Sequence, residues 1–195
     1  MTTGSLFGLA VFSFVASITP GPNNLMLLAS GVNFGVRRTL PHMAGIQIGF
    51  NALVLAVGLG LGALFAAVPG LQLALKVACS LYLLYLAWHI ATAGAISPTA
   101  ESARPMKLSE AVAFQAVNPK GWAMALSVAA GYGGTSYVST LVNMAVMFVV
   151  NAPCMLVWAL FGVGLREALS DARRLRMFNG VMAILLVLSI LPFLK

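Results

Sequence analysis

Apolar residues run along this chain in long blocks, separated by short clusters of proline, glycine and charge. The first block extends from about Gly4 to Gly31, is interrupted by Pro20-Gly21-Pro22, and is followed by Arg37 and Arg38. A second runs from about Pro41 to Ala67 and closes at Pro69-Gly70; a third runs from about Leu71 to Ala93. The one substantial loop, Gly94 to Lys107, holds Ser97-Pro98, Glu101, Arg104 and Pro105. The fourth block, about Leu108 to Ala130, ends at Gly131-Tyr132-Gly133-Gly134, and the fifth spans about Tyr137 to Leu165. A charged patch, Arg166 to Arg176, precedes the last block, about Met177 to Leu194. Crossing a ~30 Å hydrocarbon core at 1.5 Å per residue takes roughly 20 helical residues. The pattern therefore predicts an all-α integral membrane protein, six transmembrane helices in a single domain over residues 1–195.

Composition sharpens this. Hydrophobic residues make up 61% of the 195, charged residues 8%, and the mean hydropathy is +0.98. Soluble domains run near 45–50% apolar and about 25% charged, so most of this surface faces lipid. No room is left for an extramembrane enzymatic domain, a nucleic-acid-binding module or a long disordered tail. The net charge of +7 needs no polyanionic partner, because cytoplasmic loops of membrane proteins carry surplus Lys and Arg.

The basic residues also give a direction. Loops after blocks one, three and five hold Arg37, Arg38, Arg104, Lys107, Arg166, Arg173, Arg174 and Arg176, against Lys76 and Lys195 on the other side. The bias puts those loops in the cytoplasm and both termini outside. The N-terminal stretch has no Lys or Arg ahead of its apolar run, and so reads as a retained first span rather than a signal peptide. Cys79 and Cys154 each sit inside an apolar run, far apart, in neither a disulfide nor a metal-binding spacing.

The halves correspond weakly at an offset of about 100: Pro20 against Pro119, Asn51 against Asn151, Gly62 against Gly162. This predicts two inverted-topology three-helix repeats, about 1–93 and about 108–195 joined by loop 94–107, each with a broken first helix. Many secondary transporters are built so, with sites at broken helices near the midplane.

The candidate chemistry gathers at the two breaks. In Thr19-Pro20-Gly21-Pro22-Asn23-Asn24, two prolines remove backbone donors and clash with the preceding turn. Irregular backbone at membrane depth is tolerated only inside protein or beside water. The half-helix beginning near Pro22 would offer its N-terminal amides to an anion, and a free carboxylate is the natural occupant. The second break is Asn118-Pro119-Lys120-Gly121. Lys120 lies eleven residues after Ser109, roughly 16 Å along a helix. An ionisable residue at that depth marks a functional site, as counter-charge to a carboxylate or as a proton carrier. The plainer alternative is that Lys120 snorkels to headgroups.

Amides add a polar path. Gln47 and Asn51, Gln115 and Asn118, and Asn143 and Asn151 each share a helix face; their plainer role is interhelical hydrogen bonding. His42 and His89 sit at span ends without a second ligand at useful spacing, so neither a metal nor any cofactor is expected. Gly45 and Gly49 form a GxxxG, continued by Gly58, Gly60 and Gly62, which predicts close packing within the protomer or across a homodimer. Glu101, Glu110, Glu167 and Asp171 all fall at or near loops, so a carboxylate relay within the membrane is not available and no enzyme is expected.

Taken together, Ile18-Thr-Pro-Gly-Pro-Asn-Asn24, Arg38 with Leu40-Pro-His-Met-Ala-Gly-Ile-Gln-Ile-Gly-Phe50, Tyr82-Leu-Leu-Tyr-Leu-Ala-Trp88 and Gln115-Ala-Val-Asn-Pro-Lys120 resemble the LysE/RhtB family of amino-acid exporters. The ordered set covers nearly the whole chain and looks most like the family's cysteine/O-acetylserine exporter branch. The resemblance implies a bacterial inner-membrane protein that exports a small amino acid or derivative on an ion gradient. Many members carry an acid directly after Pro-Gly-Pro, where this chain has Asn23; any proton coupling here would have to differ. The resulting expectation places the substrate among Pro20, Gly21, Pro22, Asn23, Asn24, Gln47, Asn51, Asn118, Lys120 and Asn151. A non-transporting scaffold with dry-packed breaks, or a passive channel, are the rival readings.

Overall fold

A computed structural model describes residues 2–92, 104–132, 137–189 and 191. Most of the expected loop at 94–107, with Glu101, lies outside the described residues, as do Gly133, Gly134 and Lys195. The regular elements among the described residues are all helices, without strands: α1 (Thr3–Ile18), α2 (Pro22–Ala56), a π-helical turn (Val57–Leu61), α3 (Gly62–Ala67), α4 (Pro69–Thr92), α5 (Leu108–Gln115), α6 (Pro119–Tyr132), α7 (Tyr137–Leu165) and α8 (Ala172–Leu188). Among the described residues, three stretches are long and apolar enough to cross a membrane: Pro22–Leu64, Leu73–Thr92 and Tyr137–Leu165.

The longest of these does not run straight. Gly35 takes φ 75° inside α2, a left-handed conformation open to glycine at little cost. Ser30 and Thr39, nine residues apart, meet hydroxyl to hydroxyl at 2.8 Å, and Thr39 Oγ1 also donates to the Gly35 carbonyl. Nine residues of straight helix would separate them by about 13 Å. The chain therefore turns a corner at Gly35, and α2 is two arms, residues 22–34 and 36–56. Pro41, expected near a helix start, instead lies inside the second arm.

Glycine lets the arms approach their neighbours backbone to backbone. A Cβ on Gly31 would strike the Ala159 carbonyl, and one on Gly162 the Leu28 carbonyl, so the first arm crosses α7 at a point where no side chain fits. Gly45 and Gly49 lie against Leu108 and Val112 of α5. The GxxxG thus packs within the protomer. Gln47 reaches Phe148 and Asn151, while Gly58 faces Thr140. The second arm therefore runs antiparallel to α7 and parallel to α5.

These pairings sort the ends of the bundle. The Gly35 corner, the start of α5 and the end of α7 lie together and carry Arg37, Arg38, Lys107 and Arg166. The start of α1, the end of α6 and the start of α7 form the other end, where Gly8 abuts Tyr132. One apolar core joins the first arm, α4, α5 and α8 through Leu25, Leu28, Leu83, Phe114 and Leu186. A second joins α1, the second arm, α6 and α7 through Leu9, Phe50, Val54, Trp122 and Met147. Outward-facing Phe7, Trp88, Val149 and Ile184 leave an apolar surface suited to lipid.

Two local expectations need correction. The last helix starts at Ala172, five residues earlier than the apolar pattern suggests, so Arg173, Arg174 and Arg176 are helical. Asp171 supplies the reason: its Oδ1 accepts from the amides of Arg173 at 2.9 Å and Arg174 at 3.0 Å, an N-cap that hydropathy does not register. His42 is not at a span end but 2% exposed inside the second arm, with no hydrogen-bond partner on either ring nitrogen.

Candidate functional site

Both breaks form where the sequence removes helix hydrogen bonds. α1 ends at Ile18, Thr19 and Gly21 are extended, and Pro22 opens α2 at a position that needs no amide donor. α5 ends at Gln115, and Pro119 opens α6. Each break frees carbonyls that would be costly to bury unpaired.

Side chains from distant parts of the chain take up those carbonyls. Asn24 Nδ2 donates to the Ser17 and Thr19 carbonyls at 2.7 and 2.8 Å. Trp158 Nε1 donates to Ile18 at 3.0 Å. Lys120 Nζ, from the second break, donates to the Thr19 carbonyl at 2.7 Å, Thr19 Oγ1 at 3.0 Å and the Pro20 carbonyl at 3.3 Å. At the second break Trp122 Nε1 donates to Ala116 at 2.9 Å. The half-buried Lys120 thus turns toward the first break, and its amine sits at the negative, C-terminal end of α1. Gly21 makes room: its φ of 179° suits any residue, but a Cβ there would meet Lys120 Cδ at 2.5 Å.

Amides tie the breaks together further. Asn23 and Gln115 exchange two hydrogen bonds, Nδ2 to Oε1 at 3.0 Å and Nε2 to Oδ1 at 3.1 Å. Asn118 Nδ2 donates to the same Gln115 Oε1 at 3.0 Å. Asn151 Nδ2 donates to Gln47 Oε1 at 2.8 Å, and Gln47 Nε2 in turn to the Phe148 carbonyl.

The result is a small cleft of about 30 Å³. Gly21, Asn23, Asn24, Asn118, Lys120 and Asn151 line it, with Ile46, Phe50, Met124 and Met155 as apolar walls. Six of the ten expected residues therefore meet in one place. Pro20 and Pro22 shape the break without lining the cleft, Gln47 stands behind Asn151, and Asn51 donates to the Gln47 carbonyl in its own helix. Ser17 Oγ and Asn118 Oδ1, both on the cleft, are buried without hydrogen-bond partners. No capping side chain bonds the amides that open α2. The cleft thus presents a cation, free helix amides and unmet polar atoms, a set suited to a small, polar, anion-bearing occupant. Sequence reasoning missed Trp158 and the Asn23–Gln115 pairing. An indole N–H in an apolar helix must find an acceptor, but nothing local says which.

A helical membrane protein whose two broken helices meet around a polar cleft is the class that fold and site define. The LysE type translocator family model matches residues 14–192, and the chain belongs to that family. It is 33% identical over 124 residues to cysteine/O-acetylserine efflux proteins of Escherichia coli K12 and Shigella sonnei Ss046. Each match covers 62% of this chain and 61% of the relative. No solved structure matches it.

Proposed function

We propose that this protein is a secondary-type exporter that moves a small zwitterionic amino acid or derivative across the bacterial inner membrane. The observation that carries the reading is the meeting of the breaks: Lys120 of the second lies on the Thr19 and Pro20 carbonyls of the first, beside the uncapped start of α2. A substrate carboxylate would dock on the α2 amides and draw Lys120 from those carbonyls. Asn23, Asn24, Asn118 and Asn151 would hydrogen-bond the amino group or side chain. The relatives' cysteine and O-acetylserine, both small zwitterions, are the first substrates to test.

Six spans in two inverted repeats would supply the motion. In each half a broken helix precedes a long helix with an inward asparagine, Asn51 or Asn151, and the closing helices α4 and α8 pack together. Rocking one half against the other would open the cleft alternately to each side. Both termini would face outward, since the basic residues gather at the opposite end. The polar, partly unsatisfied cleft weighs against a dry scaffold. Its volume of about 30 Å³, room for a water, weighs against an open channel.

The test is export from loaded cells and proteoliposomes across a panel of labelled amino acids, with and without a proton gradient. Lys120→Ala and Asn23→Ala should each abolish or strongly slow export. Wild-type rates in both would overturn the site.

A further inference from the structure

A second, roomier space lies at the end of the bundle away from the basic residues. It holds about 330 Å³ between the second arm of α2, α6 and the start of α7, within the range of small-molecule sites. Gly58, Gly60, Ala129, Thr140 and Asn143 line it. The backbone itself opens the wall. The chain winds as a π-helical turn over Val57–Leu61, and Gly60 takes φ 114°, a geometry that side chains rarely adopt. Such π turns recur at functional sites.

Asn143 gives the space its chemistry. It is 2% exposed, and its Oδ1 is buried with no hydrogen-bond partner. A buried unmet acceptor is costly and calls for an occupant. The Thr140 hydroxyl lies one turn away on the same face, in the space that Gly58 leaves by lacking a side chain: a Cβ there would meet Thr140 Oγ1 at 2.7 Å. No Lys, Arg, Asp or Glu lines the space among the described residues. An acceptor without a cation suits an ammonium group and offers a carboxylate nothing.

Asn143 also shares its face of α7 with Asn151 in the central cleft, eight residues or about 12 Å away. Between them Met147, Phe50 and Val54 pack in one apolar layer. We propose that this cavity is an exit-side subsite for the exported amino acid, in which Asn143 Oδ1 accepts from the substrate's ammonium group. The subsite rests on the exporter reading, and it adds a station beyond the apolar layer.

The test places a single cysteine at Ala129 (Ala129→Cys) in the full chain, with Cys79→Ala and Cys154→Ala, and labels spheroplasts with a membrane-impermeant maleimide. O-acetylserine and its isomer N-acetylserine, whose amine is acylated and uncharged, serve as probes. Labelling from outside should slow about tenfold with O-acetylserine at ten times its dissociation constant, and not with N-acetylserine. Asn143→Leu should lose the protection, and Asn143→Asp, which keeps an acceptor, should retain it. Labelling only in inverted vesicles, equal protection by both isomers, or protection that survives Asn143→Leu would each overturn the subsite. Export measured on the same cells separates the two ideas. Export without Asn143-dependent protection removes only the subsite, whereas protection without export of any amino acid tested leaves an ammonium-binding site at Asn143 and removes both the exporter reading and the site's place on an exit path.

Discussion

Lys120 shows how one residue can be set by structure a hundred positions away. Its ammonium sits on carbonyls freed by Pro20 and Pro22, and it reaches them through the space that Gly21 leaves open. The side chain is flexible, so crowding it should cost function more than folding. Gly21→Ala is therefore expected to fold with a near wild-type unfolding midpoint but to export on the order of 10- to 100-fold more slowly, as small misplacements of binding groups do. Initial rates in proteoliposomes check this; a full rate would mean that the position of Lys120 does not matter to transport.

At the scale of elements, the first arm of α2 and α7 cross with nothing between their backbones. Gly162→Val would drive a side chain into the Leu28 carbonyl. Overpacking of this kind costs about 1–3 kcal/mol, measurable as a lower unfolding midpoint in detergent. Gly164→Ala, where a Cβ meets nothing within 4 Å, should not lower the midpoint. α8 offers a pH test. The amides of Arg174 and Arg173 hold the exposed Asp171 carboxyl below its ordinary range. A carboxyl lowered by folding stabilises the folded form above its unfolded pKa, and the contribution disappears as pH falls through the lowered value. Amide exchange at Arg173 and Arg174 should accelerate in acid beyond its intrinsic pH dependence, and the acceleration should vanish in Asp171→Ala.

Across the whole molecule, charge and packing agree on two unlike ends. Arg37, Arg38, Lys107 and Arg166 share one end with the Gly35 corner, and the larger cavity opens toward the other. Single cysteines replacing Arg37 and Arg166 should therefore react with an impermeant reagent in inverted vesicles and not in spheroplasts. The reverse pattern would overturn the orientation. This end-to-end asymmetry was legible early, because hydropathy and charge report directly on which solvent each residue meets. The fifth block matched α7 to the residue for the same reason.

Position along the chain determined the helical membrane class, the two breaks and the residues gathered at them. Lost amides and buried charge are local facts, and Pro20, Pro22, Pro119 and Lys120 state them outright. Tertiary structure decided what those breaks became. The corner at Gly35 and the π turn at Val57–Leu61 are backbone choices within sequence that otherwise reads as helix. The caps from Asn24, Trp158 and Lys120 depend on which helices meet. So does the separation of Asn151, inside the cleft, from Asn51, turned to its own backbone. A freed carbonyl in an apolar medium demands a donor, but only the packed fold selects which donor arrives.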